Sequence, residues 1–254
     1  MTRRRWIADE VSGDTAALVG EHAAHLARVL RAEVGQEFDI ATGDEVRRGT
    51  ITTISYDRIE FALGTQGHHS LKLGLPGAAP KITLALAIFK FDRMEWAIEK
   101  CTEIGVARII PVIARRSDTH LAAAAAKRHE RWVRLVRQAA EQSRRAAPPE
   151  ITAAVKLKDL DNILGEAQDE ADAQPRVVLA ESLAESEDEK RLADVLPATS
   201  SEVMLAVGPE GGWADGELSW FYESGWIAAS LGSTILRAET AAIVASALAF
   251  EALR

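Results

Sequence analysis

The residues with the most chemical potential in this 254-residue chain cluster in its last third. "VMLAVGPEGGW", Val203 to Trp213, sets Glu210 inside a glycine-rich turn, and "SLGSTILRAETA", Ser230 to Ala241, brings Arg237, Glu239 and Thr240 after a second glycine. Arginine stays protonated at any working pH, so Arg237 can act as a fixed cation toward developing negative charge but not as a proton acceptor. Glu210 can orient that arginine, favour a cationic ligand, or accept amides within its own loop. Glu239 and Thr240 suit the opening turn of a helix as well as a ligand wall. An ion pair of Arg237 with Glu210 or Glu239 is the plain alternative.

Spacing excludes two phosphate-cradling loops. A Walker loop needs a lysine and a hydroxyl after its last glycine, and both are missing. A dinucleotide fingerprint reads G-x-G-x-x-G, whereas Gly208, Gly211 and Gly212 stand at G-x-x-G-G, and Pro209 removes an N–H that a phosphate nest would use. Alone, the cluster reads first as a tight strand-to-helix turn. Paired with the second glycine-bearing loop, it makes a pocket of backbone amides and carbonyls suited to the adenine and ribose of a nucleoside without a triphosphate.

Such loops need a scaffold. Uninterrupted apolar runs, "KITLALAIF", "VARIIPVIA", "RVVLAES", "SEVMLAVG" and "WIAASLG", alternate with helical patterns, which predicts a mostly parallel sheet covered on both faces. In the first of these units Asp92, with Glu95 three residues on, has the spacing of a capping box; Met94, Ile98, Cys101 and Ile104 recur at helical spacing, and Gly105 ends the helix. "RHERWVRLVRQAAEQSRR" is the next helix, with Trp132, Leu135, Val136, Ala139 and Ala140 as its core stripe. The first ~75 residues are β-rich, around one helical stretch, "TAALVGEHAAHLARVLR". "GTQGHHSLKLGLPGAAP" reads as a linker, which divides the chain into residues 1–75 and 76–254.

Composition narrows the classes. No apolar run reaches the ~20 residues of a membrane helix, and "MTRRRWIADE" has no apolar stretch behind its arginines; the expectation is a cytoplasmic protein, neither secreted nor membrane-bound. A single cysteine, Cys101, excludes an internal disulfide framework and any multi-thiolate metal site. His22 and His25 have metal-compatible i, i+3 spacing, but no third ligand stands near and no metal is expected. The net charge of −8 hides a segregation: residues 81–150 carry 14 basic and 8 acidic side chains, residues 151–254 carry 7 and 19. The middle segment is therefore a candidate phosphate-facing surface.

At this point the residues carry a resemblance. "VGPEGGW" followed by "SLGSTILRAETA" looks like the paired cofactor loops of SPOUT-class methyltransferases, and most resembles the family that methylates N3 of a uridine in bacterial 16S ribosomal RNA. "RRRWIAD", "HLARVLRAEVGQEF", "DRMEWAIEKCTEIGVARIIPV" and "RWVRLVRQAAEQSRRAAPPEI" agree in order, so the resemblance spans nearly the whole chain. It departs at Ser233-Thr234, where the family usually has Pro-Arg, and at Arg144, where it has glycine. The resemblance implies a PUA-like or OB-like β-barrel over 1–75 that helps hold RNA. For 76–254 it implies an α/β domain with a trefoil-knotted backbone that binds S-adenosylmethionine, in a homodimer. The implied substrate is 16S rRNA in the 30S subunit or its precursor.

The expected roles follow. Methylating a ring nitrogen requires a methyl donor in line with it, loss of the imide proton, and stabilisation of the anion shared with the ring oxygens. Arg237 is the candidate for the last task, with Glu210 beside it. The cofactor grip is expected from Leu179, Ala180, Gly208, Pro209, Glu210, Gly211, Gly212, Leu231, Gly232, Ser233, Ile235, Leu236, Glu239, Thr240 and Ala241, mostly through their backbone. RNA contacts are expected from Arg3, Arg4, Arg5, Arg28 and Arg31 and from Lys127, Arg128, Arg131 and Arg134, which lie off the core stripe of their helix. Methylation of another base or of a ribose 2′-hydroxyl, and a non-catalytic RNA-binding or ribosome-assembly role on the same fold, are the alternatives.

Overall fold

The structure, a computed structural model, describes residues 5–43, 45–64, 80–164, 174–180, 190–196 and 200–254. Two compact units divide the chain: Met1–Gly77 with Arg137–Pro148, and Ala78–Val136 with Pro149–Arg254.

The first unit is built from β1 (Trp6–Ile7), β2 (Glu10–Ser12), β3 (Thr15–Val19), α1 (Glu21–Ala24, continuing as one wide turn over His25–Val29), β4 (Glu37–Ala41), β5 (Val46–Ile54) and β6 (Arg58–Leu63). The sheet order is β1-β4-β5-β6-β3-β2, antiparallel throughout except for β1 beside β4. Trp6, Leu18, Leu26, Ile40, Ile51, Ile59 and Phe61 fill its core. The helix expected over 15–31 is corrected here. Thr15–Val19 is a strand, held by Val11↔Ala16 and Ala17↔Glu60 pairing, which overrides the helix preference of its alanines. Gly20, at φ +62, lets the chain leave that strand and enter the helix. His22 stands 3.8 Å from Asp9, and the His25 ring lies against Trp6 with centroids 6.0 Å apart, so both histidines have packing or ion-pair neighbours.

The second unit runs β7 (Lys81–Ala87), α2 (Phe91–Ile104), β8 (Arg108–Ile113), α3 (Thr119–Gln142, whose last turns from Arg137 belong to the first unit), β9 (Glu150–Ile151), β10 (Val155–Lys156), α4 (Leu160–Leu164), β11 (Arg176–Leu179), α5 (Leu192–Val195), β12 (Glu202–Val207), α6 (Asp215–Glu223), β13 (Ile227–Ala229) and α7 (Ala238–Ala252). Its strands pair in parallel in the order β10-β8-β7-β12-β11-β13, with β9 on β8. Alternate side chains feed two cores. Val203, Leu205 and Val207 join Ile82, Leu84, Met94, Ile98 and Trp132 on one face; Met204 and Ala206 join Ala85, Leu160, Trp213, Phe221 and Trp226 on the other. Each fully buried Val, Leu or Ile contributes about 1.5–3 kcal/mol, which is why these strands read as unbroken apolar runs. On α7 the buried positions Ala238, Ala242, Ala245 and Ala249 allow close packing on α2.

Two helix starts differ from expectation. Lys90 is the N-cap of α2, and Asp92 lies in its first turn. Phe91 packs edge-on against Trp132, and the helix starts two residues earlier than a capping Asp92 would start it. Glu95 does not close a capping box; its carboxylate takes Arg128 and Arg131. Helix α3 begins at Thr119 and not near Arg128, because Asp118 Oδ1 accepts the amides of His120 (2.8 Å) and Leu121 (3.1 Å), and the alanine run that follows is helical. Gly105 ends α2 as expected, at φ +126.

Candidate active site

The seven strands of the second sheet all run parallel and so end on the same side, and the loops leaving β11, β12 and β13 surround a cleft of about 440 Å³. The two glycine loops do not follow adjacent strands: β11 lies between β12 and β13, so Leu179 and Ala180 form the wall between them. Leu179, Ala180, Gly208, Pro209, Glu210, Gly211, Gly212, Leu231, Gly232, Ser233, Ile235, Leu236, Arg237 and Ala241 all line the cleft. Among the described residues, Glu239 and Thr240 do not.

Each loop is shaped by its own residues. From Gly208 the chain turns through Pro209 and Glu210, and the Gly212 amide donates to Pro209 O at 2.8 Å with Gly212 at φ +68. A side chain at Gly208 would press on the Trp213 indole nitrogen at 3.3 Å, so glycine permits the fold-back. Arg237 is the N-cap of α7; its carbonyl accepts the Ala241 amide at 2.8 Å, while its side chain is exposed. Glu210 is exposed too.

The ion pair foreseen as an alternative goes elsewhere. Glu239, 5% exposed, faces Arg93 with Nε–Oε1 at 3.8 Å, and its second oxygen has no hydrogen-bond partner among the described residues. Arg93 and Arg116 line the cleft, and neither was picked out by motif. The available signal was position: Arg93 follows β7, and Arg116 follows β8, at the carboxyl edge where ligands of parallel sheets gather. Trp213, Leu218, Val207 and Ser230 complete the walls. A cleft walled by the two glycine loops, with the exposed Arg237 side chain among its lining, can hold a nucleoside-sized ligand and stabilise negative charge on a second reactant beside it.

The expected RNA contacts are distributed as follows. Arg3 and Arg4 lie outside the described residues. Arg5 is 2% exposed; its guanidinium donates to Arg144 O, and burial lowers its pKa. Arg28 is exposed and stacks on the exposed Tyr56 ring at 4.4 Å, and Arg31 is exposed at φ +52. On α3, Lys127, Arg131 and Arg134 are exposed. Arg131 forks onto Glu95 with Nε and Nη2 at 2.8–2.9 Å, and Arg128 lies 3.3 Å from the same carboxylate and over the Phe91 ring at 4.7 Å. Hydrogen bonding to Glu95 raises the Arg131 pKa. Among the described residues no cluster of three metal-ligating side chains occurs, and no helix is long and apolar enough to cross a membrane.

Comparison with known proteins adds independent findings. Residues 77–249 match the RNA methyltransferase domain family. The chain is 31% identical over 235 residues to the ribosomal RNA small subunit methyltransferase E of Mycobacterium bovis, covering 92% of this chain and 85% of that protein. It is similar in structure to the Neisseria gonorrhoeae ribosomal RNA small subunit methyltransferase E bound to S-adenosyl methionine, with a TM-score of 0.76 and 28% identity over 96% of this chain and 95% of that one. A Legionella pneumophila methyltransferase in complex with the bound cofactor SAM gives a TM-score of 0.78 at 28% identity, over 98% and 97% of the two chains.

Proposed function

The chain belongs to the RNA methyltransferase family, and from that membership and its cleft we propose that it transfers the methyl group of S-adenosylmethionine to N3 of a uridine in the 16S rRNA of the small ribosomal subunit. The observation that carries this reading is the meeting of two glycine loops around one nucleoside-sized cleft with Arg237 exposed at its edge. The fit is one of size and chemistry. About 440 Å³ lies within the range of small-molecule sites, and the lining offers backbone donors and acceptors with no lysine or Walker hydroxyl for a triphosphate.

Residues Gly208–Gly212 and Leu231–Leu236 hold the nucleoside half through the backbone, and Leu179 and Ala180 close the apolar wall. The cofactor, when bound, supplies an electrophilic methyl group. Arg237 is the catalytic residue: as a permanent cation it stabilises the charge that builds on the uracil oxygens as N3 loses its proton. Glu210 holds Arg237 or the cationic donor in register.

The finer features belong to the same reading. A trefoil-knotted backbone is part of the same proposal and rests on the family resemblance of the two loops. The curled six-stranded sheet supports a PUA-like or OB-like barrel over 1–75 that grips RNA, and 76–254 is the proposed methyltransferase domain. A homodimer belongs to the same proposal and rests on the family resemblance. The proposed substrate is the 30S subunit or its precursor, and a ribosomal substrate fits a cytoplasmic protein. Digestion of 16S rRNA treated with the protein, followed by mass spectrometry, tests the assignment: 3-methyluridine is expected, and a 2′-O-methyl nucleoside or another methylated base would overturn it. Calorimetry showing no binding of S-adenosylmethionine would leave a non-catalytic RNA-binding protein.

A further inference from the structure

We infer that Arg116 is a positioning residue that sets the glycine loop in its ligand-binding shape before the ligand arrives. The identity of that ligand rests on the functional reading above; the clamp itself rests on geometry. Gly211-Gly212 is the least constrained dipeptide in the cleft, since glycine loses the most backbone freedom on ordering. Arg116 Nη1 donates to Gly211 O at 2.8 Å and to Trp213 O at 3.1 Å. The same two peptide units are held at their other ends: Gly212 N–H donates to Pro209 O at 2.8 Å, and Ala214 N–H to Glu217 Oε2 at 2.9 Å. A peptide unit is planar, so fixing its oxygen and its hydrogen together fixes its orientation. Four contacts thus fix the peptide units on either side of the Gly212–Trp213 pair.

The clamp is anchored in turn. The other oxygen of Glu217 accepts the Arg115 amide at 2.7 Å, and the buried Ser117 hydroxyl donates to Ile88 O at 2.7 Å. The turn carrying Arg116 is therefore tied to the exit of β7 and to the start of α6. Arg116 is exposed, so its contribution is directional and charge-assisted and owes little to apolar burial. A guanidinium presents several N–H donors in a fixed plane; a lysine ammonium is a single point charge and reproduces this poorly.

The test compares the unaltered full chain with Arg116→Ala and Arg116→Lys by amide hydrogen exchange, thermal melting, S-adenosylmethionine calorimetry and steady-state kinetics. Exchange at Gly212 and Ala214 should accelerate about tenfold or more in Arg116→Ala while global melting stays within about 2 °C. The dissociation constant should rise ~10–100-fold, with kcat at saturating cofactor within about threefold and partial recovery in the lysine variant. Unchanged exchange would overturn the clamp. Unchanged affinity with a fall in kcat would also overturn it, since Arg116 would then act on the RNA. A loss of melting temperature matching the loss of affinity would make the residue merely structural and overturn it too. If the alanine variant does not fold, Arg116→Lys and Glu217→Gln carry the same comparison. Failure of the unaltered protein to bind S-adenosylmethionine would sink the functional reading instead, and exchange at Gly212 and Ala214 would still decide the clamp.

Discussion

Arg237 and Glu239 sit two residues apart, yet the structure gives them different company: Glu239 turns inward to Arg93, and Arg237 stays exposed at the cleft. Arg237→Ala should therefore lower kcat by about a hundredfold while changing S-adenosylmethionine affinity less than about threefold. Single-turnover rates with separately measured binding check this, and equal small effects would remove the catalytic role. A second residue-scale expectation concerns Asp9. Burial alone would raise its pKa, but the nearby His22 ring and hydrogen bonds from Arg137 and the Val19 amide bring it down from 3.8 to about 2. Its folded pKa lies below its unfolded one, so its stabilisation is complete above about pH 4 and is lost as pH falls toward 2. Melting curves over that range should show the loss, and Asp9→Asn should flatten it. The loop residues were legible in the sequence because glycine spacing and buried strands announce a cleft. Arg93 and Arg116 were not, since an isolated arginine in no motif is indistinguishable from a solvated one until strand ends are brought together. Arg5 misled for the reverse reason: next to two other arginines it reads as exposed, whereas it is buried under Arg144.

Among the elements, α2 and α7 meet most intimately where Gly105 ends α2. A side chain there would stand 2.8 Å from Phe250 Cε2, at a φ of +126 that L-residues avoid. Gly105→Ala should destabilise the protein by about 1–3 kcal/mol, seen as a lower denaturation midpoint with an unchanged slope. The wild-type midpoint in the variant would show that Phe250 yields freely. The strand-helix alternation of the second unit was readable because strands buried on both faces carry no polar interruption and Gly105 marks a stop. Thr15–Val19 was not: alanine-rich and adjacent to a true helix, it is a strand only because β2 and β6 flank it. The start of α3 was likewise set by the Asp118 cap and not by any periodicity in its alanine run.

For the whole molecule, segregation of charge is the property that outlives any one contact. The basic middle segment presents Lys127, Arg131 and Arg134 on the exposed side of α3. If Arg131 and Arg134 meet RNA phosphates, replacing both with alanine should flatten the slope of log affinity against log salt by about 1.4–1.8. An unchanged slope, measured by filter binding or fluorescence anisotropy across a salt series, would leave them as solvated surface. The sheet order carries a different consequence. Strand β7 pairs along its length with β12, and the Lys81–Glu202 contact across that seam joins residues 121 positions apart. During synthesis, one edge of the apolar β7 ribbon must wait unpaired until the last fifth of the polypeptide emerges. A nascent chain stalled before Val203 would leave that edge of β7 open, an apolar strand with its backbone donors and acceptors facing water.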